Sequence, residues 1–379
     1  MRFPEFSGEW DSFKLVELGK FIGGGTPSSS KLSFWTGSIP WISSSDIKED
    51  NINNISISRY ITEEAIEKSA TKYCPAPVIL IVSRVGVGKV ALSHTSLCTS
   101  QDFCNIIEIK CHPVFLSYNL LRTMKRKSRE VQGTSIKGIT SDELQKMRVF
   151  IPKNKDEQNK ISNLLTLLDE RIATQNKIIE DLKKLKSAIV DRLYSSTNGE
   201  TYSFCQLFEV VNEKNKKLDY RNVLSASQEL GMIERSDINI DIKFEQESIS
   251  GYKIVRKGDY VVHLRSFQGG FAFSDRTGIC SPAYTILRPN DLVGYGYLSH
   301  FFTSKLFIKS LKLVTYGIRD GRSINVDEWL NMTVTLPNIQ EQVRILTIIN
   351  AIDAKLHIEI KKQSCLFRQK SYLLNTMFI

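Results

Sequence analysis

The chain contains, at residues 156–194, the stretch DEQNKISNLLTLLDERIATQNKIIEDLKKLKSAIVDRLY and, at residues 340–379, the stretch QEQVRILTIINAIDAKLHIEIKKQSCLFRQKSYLLNTMFI. When the two are aligned without gaps, Glu157 falls on Glu341 and Gln158 on Gln342. In both stretches apolar residues recur at alternating intervals of four and three, which is the spacing of a coiled-coil seam. Each stretch is therefore predicted to form one long helix.

Polar residues interrupt the two seams at matching places, with Gln175 over Glu359 and Lys186 over Lys370. Polar seam residues weaken a coiled coil but fix its register and partner, so the matching interruptions predict that the two helices pack on each other. The alternative is two unrelated amphipathic helices, each buried on its own core. The predicted seams consist of Ile161, Leu165, Leu168, Ile172, Gln175, Ile179, Leu182, Lys186, Ile189 and Leu193, and of Ile345, Ile349, Ile352, Leu356, Glu359, Gln363, Leu366, Lys370, Leu373 and Met377.

The segments that precede the helices repeat as well. Residues 138–144 (GITSDEL) match residues 323–329 (SINVDEW), and Pro152 and Pro337 then stand ahead of the two helices. Proline has no amide hydrogen to donate, so it suits the connection or first turn before a helix. The duplication therefore extends beyond the helices into the domains that they follow.

Further upstream, a slightly smaller offset aligns Arg84 with Arg265. Each arginine follows an apolar, strand-like run, at 78–82 and 260–262, and precedes a glycine-rich turn. The order is thus globular domain, long helix, globular domain, long helix, in an α+β chain of 379 residues. The predicted boundaries are 1–155 for the first domain, 156–194 for the central helix, 195–201 for a polar linker, 202–338 for the second domain and 339–379 for the C-terminal helix.

Composition gives a weaker indication of function. Lysine plus arginine exceed aspartate plus glutamate by 51 to 41, a formal charge of +10, which favours a polyanionic partner although many proteins are equally basic. The seven cysteines form no CxxC pair and predict reduced thiols, and Cys111-His112 lacks a second pair of metal ligands. No stretch approaches the ~20 apolar residues of a membrane span, so we expect a cytoplasmic protein without a membrane partner.

This arrangement resembles the specificity subunits of type I restriction–modification systems. The resemblance covers essentially the whole chain and rests on the opening Arg2-Phe3-Pro4 with Trp10, the stretches 152–158 and 337–342, and the duplicated order of domains and helices. It implies two α/β target-recognition domains separated by an antiparallel coiled coil, with a pseudo-two-fold internal repeat. Each domain would contact one half of a split target in double-stranded DNA.

The resemblance also implies partners and cofactors. Two modification subunits, which use S-adenosylmethionine to methylate adenine, would dock along the helices, and two restriction subunits that translocate DNA with ATP and Mg²⁺ could join them. No cofactor is expected on this chain itself. The duplicated plan supports part of this independently, because two domains on a spacer suit two separated half-sites, and a 157–194 helix at ~1.5 Å per residue spans roughly 55 Å.

The sequence offers no convincing catalytic motif, so we expect a subunit that is not an enzyme. An adenine methyltransferase needs an Asn/Asp-Pro-Pro-Tyr/Phe loop, and the chain has no Pro-Pro pair. Residues 86–89 (GVGK) lack the first glycine and the Ser/Thr of a phosphate-binding loop. Glu108-Ile109-Lys110 is interpreted as an ordinary strand. The alternatives are a coiled-coil protein-interaction scaffold without DNA specificity and a self-sufficient restriction–methylation enzyme.

Candidate DNA contacts combine basic, amide or hydroxyl groups with positions in predicted turns. Arginine at such a position can bind guanine through two hydrogen bonds or contact a phosphate. Charge runs and serine clusters are also common on solvated surfaces, so the assignment of each residue is a hypothesis. The predicted DNA-binding residues are Ser44, Arg84, Lys89, Gln101, Lys125, Arg126 and Lys137 in the first domain, and Ser227, Arg265, Gln268, Arg319 and Arg322 in the second.

Overall fold

The computed structural model describes residues 1–131, 138–227, 230–237, 246–263, 270–311, 314–316 and 323–378. It divides into two compact units, one of residues 1–176 with 361–379 and one of residues 177–360. Each unit therefore contains one globular domain together with parts of both long helices. No helix in the described ranges is long and apolar enough to cross a membrane.

The elements that begin in the first unit follow one another in a fixed order. They are β1 (Asp11–Lys14), α1 (Leu15–Leu18), β2 (Lys20–Gly23), β3 (Ile39–Ile42), β4 (Arg59–Ile61), α2 (Glu63–Glu67), β5 (Tyr73–Cys74), β6 (Val78–Val82), β7 (Val90–Ser93), β8 (Leu97–Thr99), β9 (Phe103–Ile107), α3 (Pro113–Val131), α4 (Ser141–Lys146), β10 (Arg148–Ile151) and α5 (Lys155–Ser195). Short 3-10 turns cover Leu32–Trp35 and Ser44–Asp46.

The described residues of the first unit form three sheets. The central antiparallel sheet has the order β2-β9-β6-β7, a second sheet has the order β4-β3-β8-β5, and β1 pairs with β10. The whole of β6 is buried, as a continuous run of Val, Ile and Leu predicts for a strand covered on both faces. One face packs against α3 and the long helices, and the other faces the second sheet.

The elements that begin in the second unit follow a similar order, with two short helices at the place of α3. They are β11 (Glu200–Ser203), α6 (Phe204–Leu207), β12 (Phe208–Val211), β13 (Leu224–Ser227), β14 (Gly231–Glu234), β15 (Lys253–Val255), β16 (Tyr260–Val262), β17 (Phe271–Phe273), β18 (Gly278–Cys280), β19 (Thr285–Pro289), α7 (Tyr297–Phe301), α8 (Lys305–Ser310), β20 (Thr315–Tyr316), β21 (Ser323–Ile324), α9 (Val326–Leu330), β22 (Thr333–Leu336) and α10 (Ile339–Met377). Two 3-10 turns cover Arg235–Asp237 and Gln246–Gly251.

The central sheets of the two units have the same strand order and register. The central sheet of the second unit runs β12-β19-β16-β17, which matches β2-β9-β6-β7 strand for strand. Leu80 stands opposite Ala91 in the first sheet, and Val261 stands opposite Ala272 in the second, in agreement with the alignment of the two arginines that follow β6 and β16. The outer pair β1–β10 also has its counterpart in β11–β22. The predicted internal repeat is therefore confirmed at the level of strand pairing.

The repeated segments before the long helices form matching short helices. Thr140 begins α4, and its hydroxyl accepts a hydrogen bond from Glu143 N while Glu143 accepts one from Thr140 N. Asn325 begins α9 and accepts hydrogen bonds from the amides of Asp327 and Glu328. Both are side-chain caps of the kind that satisfies the first amides of a helix. The buried residues of these two helices are Leu144 and Trp329, which occupy the same position.

The long helices α5 and α10 run antiparallel, because opposite ends of them share a core in each unit. In the first unit the start of α5, with Ile161 and Leu165, packs in one cluster with Leu373 near the end of α10. In the second unit the end of α5, with Tyr194, packs in one cluster with Ile349 near the start of α10. The long helices predicted at 156–194 and 340–379 are thus confirmed.

The seam prediction is less accurate at the helix ends. Val190 and Tyr194 are buried, whereas the predicted Ile189 and Leu193 are not, and Leu374 joins Leu373 in the first-unit core. A helix end that packs on a partner helix and also on a sheet domain needs a wider apolar face than a two-stranded seam provides. The strict four-three spacing therefore underestimates the buried face at those ends.

Equivalent glutamines anchor the starts of the two helices. Gln158 Nε2 donates to Pro152 O at 2.9 Å, and Gln158 Oε1 accepts from His112 N at 3.0 Å. Gln342 Nε2 donates to Pro337 O at 2.8 Å, and its Oε1 accepts from Gly294 N at 2.7 Å. Both glutamines are buried, so each satisfies backbone groups that water cannot reach. The repeated Pro-to-Gln stretch therefore fixes each helix to its own domain.

Candidate nucleic-acid interface

Arg84 and Gln101 of the first unit line one cavity of about 760 Å³. Arg84 follows β6, Gln101 precedes β9, and Gly23-Gly24 at the end of β2 forms another part of the wall. The Thr26 hydroxyl donates a hydrogen bond to Gln101 Oε1. Two of the predicted DNA-binding side chains thus meet at one end of the central sheet.

At two glycines in the wall of this cavity, neighbouring backbone packs so closely that no side chain would fit. A Cβ on Gly24 would overlap the carbonyl oxygen of Ser100, and a Cβ on Gly138 would lie 2.5 Å from Ser83 O. Ile139 N donates to Ser83 O at 2.7 Å, which holds the segment before α4 against the strand end. Gly24 and Gly25 of the glycine run are therefore places of close backbone approach, whereas a Cβ on Gly23 would meet no atom within 4 Å.

Lys89 and Ser44 form a second part of the candidate interface. Lys89 Nζ donates to the carbonyl oxygen of Ser44 at 3.2 Å, which ties the β6–β7 turn to the 3-10 turn at 44–46. Gly86 and Gly88 in this turn have φ values of 88° and 112°, which favour glycine. The GVGK stretch is thus the connection between two antiparallel strands.

The serines beside Ser44 have structural partners. Asp46 accepts hydrogen bonds from Ser43 N at 2.7 Å and from the Ser43 hydroxyl at 3.0 Å, and Arg59 contacts the same carboxylate. The Arg59 guanidinium also lies 4.6 Å from the centre of the Trp41 ring. Arg59 is a surface cation that sequence reasoning missed, because nothing near it in the sequence marks its place beside this turn.

Lys125 and Arg126 lie on α3, next to the same loops. Lys125 pairs with Asp50, and a Cβ on Gly88 would lie 3.1 Å from Ser128 Oγ, so the β6–β7 turn packs directly on α3. Arg126 is exposed on the same helix. The β6–β7 turn, which carries Arg84 and Lys89, thus contacts the 3-10 turn with Ser44 and the helix α3 that carries Lys125 and Arg126.

In the second unit the structure describes only one of the predicted DNA-binding residues, Ser227. Ser227 ends β13 opposite Gly231, and its hydroxyl accepts a hydrogen bond from Leu230 N at 3.3 Å, so it stabilises the turn to β14. The other predicted contacts lie outside the residues that the structure describes. These are Lys137 of the first domain and Arg265, Gln268, Arg319 and Arg322 of the second.

One sequence interpretation at the other end of β9 is wrong. Glu108-Ile109-Lys110 does not form a strand, because β9 ends at Ile107 and Glu108 adopts a φ of 52°. The positive φ turns the chain out of the sheet and towards α3. The alternation of acidic, apolar and basic residues that suggested a strand belongs to this turn.

The buried cysteines are poor nucleophiles. Burial raises the pKa of Cys74 to about 11 and that of Cys280 to about 12, so both thiols are protonated at neutral pH. All seven cysteines are present as thiols. Within the described ranges, no group of three or more histidine, cysteine, aspartate or glutamate side chains is placed to hold a metal ion.

Together these features define an α+β protein built from two equivalent sheet modules, each fixed to the start of one helix of an antiparallel pair. A family model described as the type I restriction modification DNA specificity domain matches twice, at residues 7–184 and 199–365. The chain belongs to this family of DNA specificity proteins.

Individual relatives agree with this assignment. The type I restriction enzyme MjaIX specificity subunit of Methanocaldococcus jannaschii is 34% identical over 186 residues, which are 47% of this chain and 42% of the relative. The EcoR124I/EcoR124II specificity subunit of Escherichia coli is 34% identical over 218 residues, 54% of this chain and 52% of the relative. The chain thus spans about half the length of these curated relatives.

A solved structure reproduces the fold. It comes from a study of complex assembly and conformational transition of the type I R-M system, and 98% of this chain matches 98% of that chain with a TM-score of 0.63. The identity is 14%, so the likeness concerns the fold. It agrees with the arrangement of sheet modules and long helices within each unit.

Proposed function

We propose that this chain is the sequence-reading subunit of a type I restriction–modification complex and that each sheet module reads one half of a split DNA target. The observation that carries the proposal is the duplicated module with matching strand register. Two related modules on one chain suit two separated half-sites. Most of their side chains differ, so we expect two different half-site sequences.

In this proposal the chain has no catalytic step of its own. Methylation of adenine with S-adenosylmethionine belongs to two modification subunits, and ATP- and Mg²⁺-dependent translocation and cleavage belong to two restriction subunits. The relatives named above are specificity subunits of type I restriction enzymes, which supports this division of labour. The complex would act in the cytoplasm, where bacterial and archaeal DNA lies.

The reading surface of the first module is proposed to centre on Arg84 and Gln101. An arginine and an amide that line one cavity can each form two hydrogen bonds to a base edge, arginine with guanine and glutamine with adenine. Both residues follow or precede buried strands, so the sheet holds their backbone in place. Lys89 and Lys125 would contact phosphates, which position the duplex and carry no sequence information.

The direct test is to co-express the chain with its modification subunit and to map methylated adenines on a plasmid. We expect one split motif with a fixed gap. Replacing residues 202–338 by the second domain of another specificity subunit should change one half of the motif only. A change in both halves, or methylation without a motif, would contradict the assignment of one half-site to each module.

A second test concerns Arg84. Arg84→Ala should weaken binding of the cognate half-site by about 1–3 kcal/mol and relax specificity at one base pair. The matched control is Lys20→Ala, an exposed cation elsewhere on the same unit that pairs with Glu108 at 3.5 Å. The readout is the affinity of the methyltransferase complex for duplexes that differ at single positions. Equal losses on all duplexes would assign Arg84 to a phosphate.

A further inference from the structure

The first unit contains a strongly basic cavity of about 480 Å³ between α3 and the last part of α10. Asp50 is the one acidic residue among the described residues that line it. Leu374 and the exposed Phe367 add an apolar part to the wall. The basic residues that line it are Arg122, Lys125, Arg126, Arg129, Arg368 and Lys370.

Among the described residues, six basic side chains line this cavity and one carboxylate does, that of Asp50. Lys125 pairs with Asp50, and Lys370 pairs with the buried Asp169 behind the wall. The guanidinium groups of α3 and α10 add further positive charge, and Arg126, Arg129 and Arg368 are exposed. The cavity is therefore suited to a ligand with several negative charges.

The Arg368 side chain forms only long hydrogen bonds to groups of its own helix among the contacts described. Its guanidinium donates to Ser364 O at 3.4 Å and to Cys365 Sγ at 3.5 Å, and both acceptors are uncharged groups of the preceding turn. Long hydrogen bonds to neutral acceptors are weak compared with a paired contact to a carboxylate or phosphate. An anion in the cavity would therefore offer Arg368 a stronger partner than the ones it has.

Among the described residues, the second unit repeats this charge only in part, because two of the six equivalent positions are basic, Lys184 and Lys186. Tyr118 and His300 are equivalent by their position beside Asp169 and Asp353, and this pair aligns α3 with α7 and α8. In that alignment the four basic residues of α3 that line the cavity correspond to one serine and three apolar residues, and two of these apolar residues are buried. These counterparts are Ser304, Phe307, Ile308 and Leu311.

The long helices differ at the same place. Asn375 of α10 corresponds to Asp191 of α5, whose carboxylate accepts a hydrogen bond from Lys305 N at 3.0 Å. Arg368 corresponds to Lys184, which is paired weakly with Asp181 at 3.9 Å. A partner bound twice by the two-fold repeat would meet two different surfaces here. The ligand of the basic cavity is thus expected to bind the first unit without an equivalent contact to the second unit.

We propose that this cavity, formed by α3 together with Arg368 of the C-terminal helix, binds the phosphate backbone of DNA beside the half-site that the first module reads. The proposal rests on the proposed function. It is supported by the continuity of the cavity with the candidate interface, since Lys125 lines it and the β6–β7 turn packs on Ser128 of α3. Guanidinium groups bind phosphate oxygens through paired hydrogen bonds.

The consequence is that the protein contacts more phosphates beside one half-site than beside the other. Phosphates next to one half-site are held by α3 and by the C-terminal helix, whereas at the described equivalent positions of α7, α8 and α5 no arginine takes the place of Arg126, Arg129 or Arg368. Such contacts add affinity independent of sequence and make it depend on salt. The protected DNA should therefore extend further on the side of the first module.

The experiment uses the chain in complex with its modification subunit and a duplex that carries the mapped motif. The variant carries Arg126→Gln, Arg129→Gln and Arg368→Gln, and the matched control is Lys184→Gln at the equivalent place in the second unit. We expect the slope of log K against log salt to fall by about 0.9 for each phosphate that the variant no longer binds, and the methylated motif to stay the same. Hydroxyl-radical footprinting should show the protection shortened on one side only.

Each other outcome excludes the proposal in a different way. An unchanged slope and footprint would show that the cavity does not contact DNA. A normal slope with weaker binding of the modification subunit would assign the cavity to an acidic protein surface instead. If the wild-type complex has no salt-dependent affinity for the duplex, the proposed function fails as well. If the wild-type complex binds normally and the variant matches it, only the proposal for the cavity fails.

Discussion

The two ends of the helix pair contain the same ion pair in different surroundings. Asp169 pairs with Lys370 in the first unit, and the equivalent Asp353 pairs with Lys186 at 2.5 Å in the second. The side chains of the first pair are 4% and 3% exposed, whereas those of the second are 35% and 27% exposed. A single sequence pattern therefore produces one buried and one solvated salt bridge.

The difference comes from the third residue at each pair. The Tyr118 hydroxyl donates to Asp169 at 2.8 Å, and Lys370 also donates to the Asp50 carbonyl, so the buried charges have several partners. Burial raises the pKa of Asp169, and Lys370 and Tyr118 oppose that effect. In the second unit His300 Nε2 lies 3.9 Å from the Asp353 carboxylate, too far for a hydrogen bond. The charges of the first pair are thus stabilised by further hydrogen bonds within the protein, whereas those of the second pair are partly exposed to solvent.

The largest expected effect is the loss of one partner of the buried pair. Lys370→Met should lower the free energy of unfolding by about 3–5 kcal/mol, because it leaves Asp169 buried without its cation. Lys186→Met, the control at the equivalent position, should cost no more than about 1 kcal/mol, as solvated pairs do. Urea unfolding of the two variants measures the difference. Equal losses would show that the two pairs are energetically alike.

Removal of both charges should restore most of this stability. Asp169→Asn combined with Lys370→Met leaves no charge at this pair, and the asparagine oxygen can still accept from Tyr118. The double-mutant cycle should give a coupling energy of about 1–3 kcal/mol. Additive losses would mean that Asp169 and Lys370 stabilise the fold independently, against the geometry of the pair.

A smaller effect is expected for Tyr118. Tyr118→Phe removes a hydrogen bond to a buried carboxylate and should cost about 1.5–3 kcal/mol. His300→Gln at the equivalent position should change the free energy of unfolding by less than about 1 kcal/mol, because the imidazole only approaches a solvated pair. The measurement is again urea unfolding at pH 7.5. A larger loss for His300 than for Tyr118 would reverse the ranking of the two surroundings.

The smallest expected effect is a pH dependence that belongs to the second unit. Burial, and then the charge of Lys186, lower the pKa of His300 below its ordinary value of 6.5, while Asp353 and Asn350 oppose this. The unfolded chain then binds more protons than the folded chain below pH 6.5, so His300 destabilises the fold as the pH falls through that range. The unfolding free energy of His300→Gln should decline less than that of the wild type between pH 7.5 and pH 5. Parallel curves would show that His300 does not contribute.

The sequence predicted the helices and the repeat well because both depend on local spacing. The four-three pattern predicted helices at 156–194 and 340–379, and the structure has them at Lys155–Ser195 and Ile339–Met377. The apolar runs at 78–82 and 260–262 are strands with those bounds. Such signals depend only on residues that are close in the sequence, so they can be recognised before the fold is known.

The ion pairs could not be assigned from that spacing alone. Lys186 over Lys370 was visible as a repeat, but the partners of these lysines depend on the antiparallel register. In the pairs 169 with 370, 186 with 353 and 176 with 363, the two residue numbers add up to 539 in each case. One such contact would have fixed the others. Without it the polar seam residues indicated pairing but not partners.

The candidate site shows the same division between local and distant information. Arg84 and Gln101 were both selected as turn residues and meet in one cavity. Arg122 and Arg368 were not selected, because their significance comes from the packing of α10 on α3, which are far apart in the sequence. The sequence therefore identified part of the candidate interface and missed the basic cavity that the C-terminal helix helps to form.

The composition of the first unit has a consequence for how the protein is made. Its core includes Leu373 and Phe378, which the ribosome adds only after residues 177–360, the whole of the second unit. The core of the first module thus stays incomplete until synthesis reaches the final turns of α10. The unit whose translation begins first is therefore the one whose core residues are the last to be synthesised.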